Sequence, residues 1–235
     1  MRVTLDYGKT GLDVELPAER VVGPLSIQPA APLADPVDAL NRALANPIGA
    51  PPLAQLAKGR KDACILVCDI TRPVPNPVIL PPMLKILEEA GIPRDKITIL
   101  VATGLHRPNE GAELEELVGD PWVLRTVRVT NHFARNDEDH VDLGATPTRG
   151  VPIRINRLVA EAELRIATGL VEPHFMAGWS GGRKVVAPGV AHHTTIRTFH
   201  SARFMEDPLA VQCNLAGNPL HEEQLQIVRR LGDVY

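Results

Sequence analysis

The stretch KDACILVCDITRPVPNPVILPPMLKILEEAGIPRDKITILV, residues 61–101, decides the fold. Residues 63–68 form a continuous apolar run of the kind found in strands that are buried on both faces, and residues 97–101 form a second run. Between them, residues 78–90 carry apolar side chains at helical spacing, and Gly91 follows as a C-terminal cap. A buried strand, a helix and another buried strand in this order predict part of a parallel sheet.

The same alternation continues towards the C-terminus. An acidic helix is predicted up to Val118, further buried strands at residues 127–130 and 164–168, and a short hairpin arm at residues 141–155. We therefore predict the α/β fold class, with a Rossmann-like, mostly parallel sheet that carries helices on both faces.

Residues 1–60 follow a different pattern. Apolar and polar residues alternate over residues 1–16 around a Gly8–Gly11 turn, which predicts a small β-hairpin. Asp35 then begins a helical pattern that Asn46 and Pro47 end. We expect residues 1–60 to form an N-terminal hairpin and helix packed on the main α/β domain, residues 61–235.

Composition excludes several classes of protein. The 235 residues carry a formal net charge of -3 and only 3% aromatic residues, so nucleic-acid binding is not expected. Three cysteines do not make a disulfide framework, and Cys64 and Cys68 lie too far apart along one strand to form a bridge. With no signal peptide and no apolar run long enough for a membrane span, we expect a cytoplasmic protein.

The loops after three of the predicted strands carry polar residues. Asp69 and Arg72 follow the first, His106 the second, and His174 the strand at residues 164–168. In parallel sheets the carboxyl ends of the strands open on one edge, so we expect these side chains to meet there. Each alone has an ordinary explanation: a histidine after a strand is most often a surface or capping residue, and an Asp–Arg pair can stabilise its own turn. Two histidines on one crevice could instead exchange protons near neutral pH.

The turn Ser180-Gly181-Gly182-Arg183-Lys184 is similar to a phosphate cradle, although it lacks the spacing of a Walker motif. Lys184 precedes an apolar run, and a lysine in such a setting can act as a nucleophile or an attachment point.

Three further histidines, His192, His193 and His200, fall in a predicted helix, HHTTIRTFHSARFM, residues 192–205. No HExxH or Cys/His zinc spacing is present, so a self-contained zinc site is not expected. A single imidazole such as His200 could still complete the coordination of a metal that a cofactor brings, and a helix histidine satisfied by a neighbour is the equally open alternative.

Several long motifs together resemble one family. The motifs are DITRPVP (69–75), ATGLHRPNE (102–110), GLVEPHFMAGWSGGRKVVAPGV (169–190), TIRTFHSARFMEDP (195–208) and GNPLHEEQ (217–224). They resemble the amino-terminal domain of the nickel-pincer lactate racemases, and the resemblance runs through nearly the whole chain. It implies a second domain after this one, with the active site between the two. The chain would then correspond to the first domain alone and be inactive by itself.

The resemblance implies a role for each matching residue. Lys184 matches the lysine that holds the nickel-pincer nucleotide through a thioamide bond, and His200 matches the protein ligand to nickel. His106 and His174 match two acid/base histidines. Arg72 matches a residue near the substrate carboxylate. The positions expected near the cofactor are Asp69, Thr71, Ser180, Gly181 and Gly182.

The implied reaction is racemisation or epimerisation of a 2-hydroxy acid by hydride transfer to the pincer ring. The implied partners are that substrate, the missing C-terminal domain and the enzymes that make the cofactor. The nicotinamide fingerprint GxGxxG is absent from the sequence, as this chemistry implies. Trp179 departs from the family, where a phenylalanine-type residue is expected, and we expect it to narrow or reshape the pocket beside the cofactor loop.

Two alternatives stay open from the residues alone. The first is a non-catalytic domain that binds a nucleotide or another phosphate ligand through residues 180–184, in which His106 and His174 would not face one crevice. The second is a zinc hydrolase or lyase with His106, His174 and His200 as a metal-ligand set.

Overall fold

A computed structural model describes residues 1–23 and 28–235. In chain order the strands are β1 (Arg2–Leu5), β2 (Leu12–Glu15), β3 (Ala63–Cys68), β4 (Ile97–Ala102), β5 (Arg128–Asn131), β6 (His140–Ala145), β7 (Pro152–Asn156), β8 (Leu164–Ala167), β9 (Pro173–His174) and β10 (Gly178–Trp179). The α-helices are α1 (Pro36–Ala45), α2 (Leu53–Ala57), α3 (Asn76–Glu89), α4 (Ala112–Val118), α5 (Pro121–Thr126), α6 (Arg157–Ala160), α7 (Arg183–Val186), α8 (His193–Phe199), α9 (Ala202–Met205) and α10 (Pro219–Leu231).

The described chain divides into two compact units, Met1–Ala34 and Asp35–Tyr235. The first contains the predicted hairpin: β1 and β2 pair antiparallel, with Arg2 opposite Glu15. Helix α1 falls in the second unit, where it packs on α2 and α3. That residues 1–60 pack as one segment on the main domain stays a prediction.

The centre of the second unit is a four-stranded parallel sheet in the order β5-β4-β3-β8. The α/β prediction is thus confirmed, and the predicted strands and helices are present to within a few residues. The hairpin arm predicted at residues 141–155 is the antiparallel pair β6 and β7.

Alternation along β3 explains why the sheet is covered on both faces. Cys64 and Leu66 point into one hydrophobic core, while Ile65 and Val67 point into the other, and all four are buried. Helices α1 to α5 supply the core on the Ile65 face, and helices α6 to α10 with β7 supply the core on the Leu66 face. A strand that must pack on both sides has no polar position, which is why residues 63–68 read as one apolar run.

This arrangement leaves the carboxyl ends of β3, β4 and β8 at one edge of the sheet, with the segment from Leu170 to His200 beside them. Within residues 1–23 and 28–235, no helix is long and apolar enough to cross a membrane.

Candidate active site

A cleft of about 280 Å³ opens at the carboxyl edge of the sheet. The loops after β3, β4 and β8 form one side, and α7, the end of α8 and the start of α10 form the other. Eight of the ten residues that the sequence analysis selected line it: Asp69, Arg72, His106, His174, Ser180, Gly181, Lys184 and His200. Residues more than 100 positions apart in sequence are therefore brought to one cavity.

His106 and Asp69 form a close pair. The Nδ1 atom of His106 lies 2.6 Å from Oδ2 of Asp69, whose side chain is only 6% exposed. A carboxylate can only accept, so Nδ1–H donates and the neutral imidazole is left with an unprotonated Nε2. Thr71 fixes the other carboxylate oxygen, because its backbone N–H donates to Oδ1 at 2.9 Å and its hydroxyl also donates there. A carboxylate that holds an imidazole in this way prepares it to take up a proton.

Thr71 itself does not line the cleft, so its observed contribution is to orient Asp69. Arg72 lies further out, with a side chain that is 39% exposed. Its guanidinium donates to the Thr71 hydroxyl at 3.1 Å and approaches Glu172 only at 3.9 Å. Asp69 therefore binds His106 and Thr71 through its side chain rather than forming an ion pair with Arg72. The guanidinium lies in the cleft wall, where its forked donors suit a carboxylate.

His174 differs from His106 in its hydrogen bonds. Its Nδ1 accepts from the backbone N–H groups of Met176 at 3.4 Å and Ala177 at 3.2 Å, so the neutral ring carries its proton on Nε2. Burial, and after it the nearby positive charges of Lys184 and Arg72, together lower the pKa of His174 to about 4. The imidazole is accordingly neutral at physiological pH.

Lys184 lies at the start of α7 and is largely buried in the cleft wall. Burial lowers the pKa of its ammonium to about 8, and Arg72 and Arg183 act in the same direction while Glu172 opposes them. Near neutral pH a larger fraction of this amine than of an ordinary lysine is therefore unprotonated, which is the state that attacks an electrophile.

Close packing around the turn at residues 180–182 requires glycine. Gly181 has φ +71°, and a Cβ atom there would lie 3.0 Å from the carbonyl oxygen of Leu170. Gly182 begins α7 and does not line the cleft. The Ser180 hydroxyl donates to the Leu170 carbonyl at 2.6 Å and accepts from the Glu172 N–H at 2.9 Å, so it holds the loop closed.

His200 ends helix α8. Its Nδ1 lies 2.8 Å from the carbonyl oxygen of Ile196 and must donate to it, which leaves Nε2 as the unprotonated nitrogen of the neutral ring. A ring whose other nitrogen is fixed by a backbone carbonyl is the usual arrangement of a histidine that binds metal. Among the described residues, no group of three or more His, Cys, Asp or Glu side chains could hold a metal ion. This counts against the zinc alternative.

Four of the other histidines form a separate cluster. His132, His140 and His192 are buried, with ring centroids 5.2 Å apart for the first two and 4.8 Å apart for the last two. His193 follows at 4.2 Å from His192. None of them lines the cleft, and neither does Trp179, so the expectation that Trp179 narrows the pocket has no support in its position.

Sequence reasoning missed three polar residues around the cleft. Asn109 and Asn131 connect the loops next to His106 by hydrogen bonds. Gln224, on α10, lines the cleft with its buried Oε1 lacking a hydrogen-bond partner in the described part of the chain. Asparagine and glutamine are common in loops and helix termini for many reasons, so only their position in three dimensions distinguishes them.

Comparison with known proteins identifies the family. The model of the family "Lactate racemase N-terminal domain" matches residues 7–212. This chain belongs to that family. The lactate racemase of Lactiplantibacillus plantarum is 36% identical over 230 residues, which cover 97% of this chain and 53% of the relative. The lactate racemase of Thermoanaerobacterium thermosaccharolyticum gives the same identity and coverage.

Solved structures support the same family membership and fold. The apoprotein structure of the Thermoanaerobacterium thermosaccharolyticum lactate racemase superposes with a TM-score of 0.83 at 34% identity, covering 98% of this chain and 54% of that one. A Thermotoga maritima protein shares the fold at 22% identity, with a TM-score of 0.66, over 83% of this chain and 47% of its own. The chain thus spans about half the length of the curated lactate racemases it matches.

Proposed function

We propose that this chain is the cofactor-binding and proton-transferring half of a nickel-pincer-dependent racemase or epimerase of 2-hydroxy acids. The observation that carries the proposal is the meeting of Lys184, His200, His106 and His174 on one cleft. The non-catalytic alternative expected the last two to lie apart. Family membership supports the same reaction class, because the curated relatives are lactate racemases.

The residues of the cleft fit such a cofactor. Lys184 offers a buried amine with a pKa of about 8 as the point of covalent attachment. His200 offers one imidazole nitrogen, and the described residues provide no complete ligand set, so the remaining ligands of nickel would come from the cofactor itself. When bound, the nickel-pincer nucleotide would supply the acceptor for the α-hydrogen as hydride. Gly181 allows the cofactor loop to pack against the chain at Leu170, where a Cβ atom would lie 3.0 Å from the carbonyl oxygen.

The chain's own residues would bind the substrate and transfer its hydroxyl proton. Arg72 holds the carboxylate of the 2-hydroxy acid and so fixes the reacting carbon. His106 removes the hydroxyl proton through Nε2, and the resulting imidazolium is stabilised by Asp69 at 2.6 Å. Racemisation exchanges the positions of the hydroxyl and the hydrogen, so a second imidazole, His174, serves the other enantiomer. In that role its Nε2 accepts a proton, so Nδ1 must first release its backbone N–H donors and take the proton that Nε2 carries in the free chain.

A measurement of bound nickel tests the assignment of His200 as the nickel ligand. The protein is produced together with the enzymes that make the cofactor, and nickel per chain is determined by elemental analysis after gel filtration. We expect wild type and His193→Ala, a histidine at the other end of α8, to retain nickel, and His200→Ala to lose most of it. Equal nickel in the His200→Ala and wild-type proteins would contradict the assignment.

A further inference from the structure

The buried side chain of Asn109 joins the loops that follow three adjacent strands of the sheet. Asn109 is 1% exposed. Its Oδ1 accepts from the backbone N–H of Ile70, after β3, at 3.2 Å. Its backbone N–H donates to Oδ1 of Asn131, at the end of β5, at 2.9 Å, and Nδ2 of Asn131 donates back to its carbonyl at 2.8 Å. Asn109, in the loop that follows β4, therefore fixes the position of that loop relative to the ends of both neighbouring strands, β3 and β5.

A charged pair determines which way the Asn109 amide points. Nδ2 of Asn109 donates to Oε2 of Glu113 at 2.8 Å, and the Arg107 guanidinium binds both oxygens of that carboxylate at 2.5 and 2.6 Å. These bonds lower the pKa of Glu113 to about 2, so it accepts and never donates near neutral pH. The amide nitrogen must face Glu113, and the amide oxygen is left for Ile70.

These contacts close a ring through the candidate base. Asn109 lies three residues after His106, and Ile70 lies one residue after Asp69, which holds Nδ1 of His106 at 2.6 Å. A shift of either loop therefore changes that contact directly. Displacements of about 1 Å in such an arrangement cost on the order of a hundredfold in rate.

We infer that Asn109 is a positioning residue that sets the hydrogen bond between Asp69 and His106. An effect of Asn109 on catalysis rests on the proposed role of His106 as an acid/base group. The hydrogen bond between Asp69 and His106 does not depend on that role. The Glu113 carboxylate and the Asn109 amide act together, because the carboxylate orients the amide.

The test is the Nδ1–H proton of His106, observed by NMR in ¹⁵N-histidine-labelled protein at low temperature. We expect a downfield signal in wild type that is lost in Asn109→Ala. It should also be lost in Asn109→Asp, which has the same size but places two carboxylates together. The double variant Asn109→Asp/Glu113→Gln should restore the His106 signal. In this variant the glutamine amide can donate to one oxygen of the new carboxylate, and the second oxygen of that carboxylate can accept from the Ile70 N–H.

Asn76→Ala serves as the matched control. Asn76 is also buried, and it donates to the Leu117 carbonyl at 2.9 Å away from the cleft, so its loss should lower the melting temperature and leave the His106 signal in place. An unchanged His106 signal in Asn109→Asp, or its absence from wild type, would overturn the inference. If Asn109→Ala does not fold, the two Asn109→Asp proteins still decide the question. Failure to bind the cofactor would instead count only against the proposed function.

Discussion

His106 and His174 lie on one cleft and both present Nε2, but the two Nε2 atoms differ in protonation. The Asp69 carboxylate keeps the proton of His106 on Nδ1, whereas two backbone N–H groups keep the proton of His174 on Nε2. In the free chain, only His106 has its outer nitrogen ready to accept a proton. The two histidines are therefore unequal before any substrate binds.

The protonation of His174 can be measured directly. Because burial and the neighbouring cations lower its pKa to about 4, we expect ¹⁵N NMR to show a neutral Nε2–H tautomer from pH 8 down to about pH 5. Arg72→Gln removes one of those cations and should raise the pKa of His174, while burial keeps it below the ordinary value of about 6.5. A His174 that titrates near pH 6.5 in wild type would disagree with this account.

At the residue scale, the motifs of the sequence predicted the cleft residues but not how they are held. Asp69 and His106 follow different strands, and the parallel-sheet rule was sufficient to bring them together. The same rule does not reveal Asn109, because a buried loop amide is recognisable only from its three partners. Ser180 and Thr71 were selected as cofactor neighbours, whereas the structure shows their hydroxyls bound within their own loops.

Helix α8 connects the cleft with the histidine cluster. His200 ends the helix, and His192 begins it by accepting from the N–H of Thr194 at 3.3 Å. Behind it, His132 donates from Nε2 to the Ala191 carbonyl at 3.0 Å. One helix over residues 192–205 is predicted from the sequence, whereas the structure ends α8 at Phe199 and begins α9 at Ala202. The cluster could not be predicted, because its rings come from β6, from the segment after β5 and from the start of α8.

The cluster predicts that acid destabilises the protein. Burial lowers the pKa of His132 and of His192 to about 4, against about 6.5 in an unfolded chain. As the pH falls below 6.5 the unfolded chain takes up protons that the folded chain cannot. The free energy of unfolding should therefore fall by about 1 kcal/mol per pH unit for each such histidine down to pH 4.

Denaturant unfolding between pH 7 and pH 4 measures this slope. In His132→Gln the amide nitrogen can still donate to Ala191 but cannot titrate, so the slope should decrease by about one proton relative to wild type. Four charged side chains surround the cluster, namely Asp137, Asp139, Arg154 and Arg157. Asp137→Asn serves as the comparison variant, because it changes a charge beside the cluster and leaves the His132 imidazole in place. An identical slope in His132→Gln and wild type would show that His132 is not held neutral.

At the scale of the whole molecule, alternation of buried strands and helices was sufficient to predict the sheet and its two cores. Each strand that packs on both faces leaves an apolar run, which sequence alone makes visible. The division between the compact units was less predictable, because helix α1 belongs by its contacts with the unit that follows it. The chain also spans about half the length of its curated relatives, so only the cleft formed by these residues is described.

Lys184 is the residue through which this chain would hold the cofactor, and the intact mass of the protein tests that claim most directly. The wild-type chain and the variants Lys184→Ala and Lys85→Ala, the latter at an exposed lysine of α3, are each produced with the cofactor-making enzymes. We predict a covalent mass increase in wild type and Lys85→Ala that is absent from Lys184→Ala. An adduct that persists in Lys184→Ala, or no adduct in wild type, would contradict the account.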